Sequence, residues 1–145
     1  MDDIETIRAR LIAADRQAGD LPGVLDTAWE AFDLVHGVCL RCGEQAVVSF
    51  AAFAFAATAA AQGRQLITAA PSLPPTSGVV TGRSASVPAD LDQTADGLAS
   101  LARALTDQLS LAATWAEDRG DQAACTDAVR YARQICELLA QDPQR

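Results

Sequence analysis

The chain has 145 residues, one domain's worth, and half of them are hydrophobic. Only 5% are aromatic and 31 are Ala, so the apolar share is mostly small side chains. With 21% charged residues and a net charge of −8, the composition excludes a collagen, a disulfide-dense miniprotein, a disordered polyelectrolyte and a multidomain enzyme. Lys and Asn are absent and all eleven positive charges are Arg, the usage of a GC-rich bacterial coding sequence.

Asp2 and Asp3 precede Ile4, Ile7, Leu11, Ile12 and Ala14, which recur at helical spacing. They predict a helix over about 3–18, with acids at its positive end and Gly19 as its stop. Asp20 suits the cap and Pro22 the first turn of a second helix over about 22–40. Leu25, Ala28, Trp29, Phe32, Val35, His36 and Cys39 share one face of it, and Gly43 falls near its end.

Residues 46–61 form a tract of sixteen without a charge, nine of them Ala. A helix apolar all round is expected to be buried, here at the middle of the fold with the others around it. As a membrane span it would be short, ~24 Å of helix against ~30 Å of hydrocarbon. Gly63 interrupts, and residues 65–70 extend the helix by a turn or two. In residues 71–88, twelve of eighteen are Pro, Ser, Thr or Gly, which predicts a linker with a reach of ~60 Å inside a single 1–145 domain.

Beyond it, Asp90 is a cap with Gln93 at the capping-box position. Leu91, Leu98, Leu105 and Ala112 repeat every seven residues, and Ala95, Ala102, Leu109 and Ala116 form a second stripe. This a/d-like seam predicts a helix ending near residues 119–120. Asp121 is expected to cap a last helix whose inner face is Ala124, Ala128, Ala132, Ile135 and Leu139, closed by Pro143. The fold class is therefore all-α: a bundle of about five helices, three before the linker and two after.

Charge limits the functions open to such a chain. Residues 1–70 carry −4 and residues 89–145 carry −5, so neither half offers the basic face that nucleic-acid binding needs. The N-terminus has no basic or apolar leader segment, and four Cys without a leader predict reduced thiols in the cytoplasm. One His, one Tyr and no Lys leave few acid–base constellations, and no phosphate loop or nucleophile elbow occurs, so no enzyme activity is expected.

The one chemically suggestive cluster is His36, Cys39, Cys42 and Gly43. A Cys-x-x-Cys turn relieved by Gly can bring two thiolates to a tetrahedral zinc, with His36 one helical turn away as a third ligand. The segment resembles the His-x-x-x-Cys-x-x-Cys motif of zinc-associated anti-sigma factors over about eight residues, with two residues rather than three between His36 and Cys39. That resemblance implies a zinc-dependent regulator; with the spacing different, the family is not assigned.

The leading expectation is a non-enzymatic protein-interaction or regulatory module that self-associates. Trp29, Phe32 and Trp115 are its candidate anchors, because buried aromatics dominate interface energies. The acidic balance also suits a basic protein partner. Two alternatives stand beside it: the zinc site of His36, Cys39 and Cys42, and a small-ligand pocket lined by Phe side chains and His36.

Overall fold

A computed structural model describes residues 3–14, 21–45, 50–73 and 91–140. They form five helices and, among the described residues, no strand. The helices are α1 (Asp3–Ala14), α2 (Leu21–Gln45), α3 (Phe50–Thr68), α4 (Leu91–Trp115) and α5 (Arg119–Ala140). The all-α bundle expected from the periodicity is the fold observed.

The four long helices form a ring, α2 beside α3, α3 beside α5, α5 beside α4, and α4 beside α2. The short α1 packs on both α2 and α4. Its inner stripe is Ile4, Ile7 and Leu11, all buried as predicted, whereas Ile12 is exposed. Ile4 packs over Gly97 of α4, and Arg10 reaches Glu30 of α2 in an ion pair at 2.5 Å.

Pairing between α2 and α3 is antiparallel. Trp29 meets Thr68, Asp33 meets Arg64, and Phe32 lies against Gly63. The α3 C-terminal turn in turn touches the start of α5: Ser72 bonds Asp121, and Pro71 lies over Gly120. So α3 and α5 are antiparallel as well, and Leu73 and Leu91 lie at opposite ends of the bundle. Residues 74–90, where most of the predicted linker falls, lie outside the described residues, as do Gly19, Asp20, Asp90 and Pro143.

The seam of α4 is confirmed position by position. Leu98, Leu105, Ala112, Ala95, Ala102, Leu109 and Ala116 are buried, and Leu91 is half-buried. Burial also takes in Thr94, Leu101 and Gln108, a third stripe beside the first two. This arc is wider than a two-stranded seam requires, because α4 has α5 on one side and α1 and α2 on the other. The heptad pattern is thus satisfied within one chain. The inner face predicted for α5 is also buried at all five positions.

Several expectations are corrected. The second helix does not stop at Cys39–Leu40 but continues through Gly43 to Gln45. Gly lowers helix propensity by ~1 kcal/mol without forbidding the conformation, and Cys39, Cys42 and Gly43 are held there by burial. The third helix passes Gly63 unbroken for a similar reason: the missing side chain is what admits the Phe32 ring. The fourth helix ends at Trp115, sooner than predicted, and the cap of α5 is Asp118 rather than Asp121. Asp118 Oδ1 accepts the N–H groups of Gly120 at 2.7 Å and Asp121 at 3.3 Å, satisfying donors that a helix start leaves open.

The largest correction concerns the alanine tract. Its helix is not at the centre. Among the described residues it has two neighbours, α2 and α5, and one whole side of it faces outward. Ala and Thr gain little from burial, so a helix made of them tolerates exposure that a Leu-rich helix would not. No helix of the described residues is long and apolar enough to cross a membrane.

Candidate interaction surface on α2 and α3

The α2–α3 contact is built from the inside outward. Phe32 has no exposed surface, and a β-carbon on Gly63 would fall within 2.8 Å of three of its ring carbons. Gly63 therefore lets the two helices approach around the ring. Outside this contact, Trp29 Nε1 donates to Thr68 Oγ1 at 3.0 Å, and Thr68 donates onward to the Arg64 carbonyl at 2.9 Å. The Arg64 guanidinium lies 5.9 Å from the Trp29 ring centroid and pairs with Asp33 at 2.5 Å. Cation, ring and carboxylate close the outer edge of the groove as a neutral set.

His36 follows Asp33 on α2 by three residues and is half-buried. Burial first, then the positive charge of Arg64, holds its pKa below the ordinary 6.5, and Asp33 only partly offsets them. Acid is therefore expected to strain this groove. As pH falls from about 7.5 through 6.5, the unfolded chain takes up the His36 proton before the folded chain does, and stability drops until the lowered folded value is passed. Urea midpoints compared at about pH 7.5 and about pH 5.5 should fall more in the wild type than in His36→Gln. Equal falls would show that His36 plays no part.

Beyond that edge, α3 turns outward a side on which none of the other described helices packs. Ala51, Phe55, Thr58, Gln62 and Gln65 are exposed at heptad spacing, and Phe55 keeps 61% of its surface. Among the described residues, α3 is the one helix whose exposed positions carry no charge. The exposed positions of the others include Glu5 on α1, Glu44 on α2, Asp107 on α4 and Asp127 on α5. The antiparallel register sets Leu40 of α2, 49% exposed, level with Ala57. A β-carbon on Gly37 would meet nothing, which leaves the α2 side of this exposed face low.

The anchors predicted from sequence sit elsewhere. Phe32 is core, Trp29 is 8% exposed with its N–H engaged, and Trp115 is half-buried against the core cluster. Phe55 and Leu40, which the sequence reading did not single out, are the two most exposed large apolar side chains among the described residues. The signal available was the charge-free tract itself, which can mean burial or a contact face.

Cys39 and Cys42 lie one turn apart inside α2, both buried, rather than on a turn. Among the described residues no group of three His, Cys, Asp or Glu side chains is placed to hold a metal ion, so the trio His36, Cys39 and Cys42 is not assembled as a ligand set. All four cysteines are free. Burial pushes the Cys39 and Cys42 thiols up, and takes Cys125 to about 11 with help from Asp121. Alkylation at about pH 8 should therefore label half-buried Cys136 first, and the other three only on unfolding. Fast native labelling of Cys39 or Cys42, read by peptide mass, would contradict their burial.

No protein-family model, curated protein or solved structure matches this chain.

Proposed function

We propose that this chain is a non-enzymatic interaction module that docks another polypeptide on the outer face of α3, with Phe55 as the anchor. One observation carries the reading: the only charge-free exposed helix face among the described residues also bears the most exposed large apolar side chain. Burying a Phe side chain contributes about 1.5–3 kcal/mol, and interface energy concentrates on such aromatic anchors. The thin catalytic inventory supports a binding role over an enzymatic one. Free thiols, three of them buried, fit a reducing compartment such as the cytoplasm. The acidic balance argues against nucleic acid as the partner.

Photo-crosslinking in the host cell tests this reading. With Phe55 replaced by p-benzoyl-phenylalanine, protein adducts are expected. The same group in place of Arg130, exposed on α5, should give few. No protein adduct at position 55, together with a pure chain that stays monomeric at high concentration, would refute the docking face.

A further inference from the structure

We infer that the occupant of this face is a second copy of the same chain, packed α3 against α3 about a twofold axis near Thr58. The inference rests on the docking reading above and names its partner.

Charge selects the partner. Each copy carries −8, so copies meeting through another helix face would bring acidic side chains together. Among the described residues, the exposed strip of α3 is the helix face where two copies avoid that repulsion. A basic partner, by contrast, would be drawn to the acidic faces and gain least from the uncharged one.

The side chains are also self-complementary. Gln62 and Gln65 each both donate and accept hydrogen bonds, and Thr58, whose hydroxyl donates to the Ala54 carbonyl at 3.2 Å, keeps acceptor capacity, so two identical faces can satisfy one another. A strip bearing Asp or Arg could not pair with itself this way. Ala51 and half-buried Ala54 and Ala61 keep the strip low, so a second helix can approach and each Phe55 can lie over small side chains of the other copy. Residues 51 to 65 span ~21 Å, and two helix widths make the face about 18 Å across. That is on the order of 400 Å² per copy, below the ~800 Å² of a standard stable interface. The expected species is a weak, reversible dimer rather than an obligate one.

Sedimentation equilibrium of the purified full chain, up to about 1 mM, decides it. The expected result is a monomer–dimer equilibrium that tightens as salt is added, because screening relieves the repulsion between two acidic copies. Phe55→Glu and Thr58→Glu should each weaken it by about tenfold or more while leaving the helical circular dichroism unchanged. A chain that stays monomeric throughout overturns the second copy. So does a dimer that salt weakens, or one indifferent to both substitutions. If the pure chain is monomeric but position 55 still crosslinks to a different protein in the cell, the docking face stands and only its occupant was wrong. A monomer with no adduct overturns both.

Discussion

Gly63→Ala should destabilise the protein by about 1–2 kcal/mol, although Ala is intrinsically the better helix former by ~1 kcal/mol. The added methyl has no space, because three carbons of the Phe32 ring lie within 2.8 Å of where it would be. Phe32 is itself fully buried, so the ring cannot swing into solvent, and α2 and α3 must separate instead. In a chain of this length a loss of that size lowers Tm by roughly 3–8 °C. Gly37→Ala supplies the internal control. It is another glycine inside a helix, but its β-carbon would meet nothing, so the propensity gain should appear undiminished at about 0.5–1 kcal/mol. Two substitutions of the same chemistry in adjacent helices are thus expected to have opposite signs. Phe32→Leu should lessen the penalty of Gly63→Ala, and a double-mutant cycle would report that coupling. Urea midpoints at or above the wild-type value for Gly63→Ala would mean that the close approach of ring and backbone is wrong.

That glycine also shows why part of the structure was legible in the sequence and part was not. Helix existence followed from apolar spacing, which depends on residues three and four apart, and all five helices are where the spacing put them. The stripe of α4 and the inner face of α5 were readable to the residue. Helix ends at glycines were not, because a local propensity says a helix should stop where a tertiary contact says it should continue. Gly43 and Gly63 look alike in sequence, and neither ends its helix. The alanine tract failed differently. Periodicity cannot separate a helix apolar because it is surrounded from one that leaves an uncharged side exposed, and only the neighbours of α3 decide. The same ambiguity hid Phe55 among its neighbours while drawing attention to Phe32, which the fold uses as core.

The second large effect is expected where the turn after α3 meets the start of α5. Asp121 is 1% exposed, and its carboxylate accepts the Ser72 N–H at 2.9 Å and the Ser72 hydroxyl at 2.5 Å. This pair fastens the turn after α3 to the first turn of α5. Beside it, Pro71 fits over Gly120, and Gln122 Nε2 closes the α4–α5 turn on the Ala116 carbonyl at 2.6 Å. Asp121→Ala removes the acceptor from a part-buried backbone N–H and should cost about 2–3 kcal/mol. Ser72→Ala gives up the hydroxyl bond alone and should cost about 1 kcal/mol. Asp118→Ala, which removes only the helix cap, should also cost about 1 kcal/mol. Because Ser72 and Asp121 share their bonds, the two substitutions together should cost less than their separate effects combined. The loss should also be local at first, with amide hydrogen exchange at residues 67–72 rising before that of α4. An Asp121→Ala protein no less stable than Asp118→Ala would show that the buried carboxylate does not tie the turn to α5.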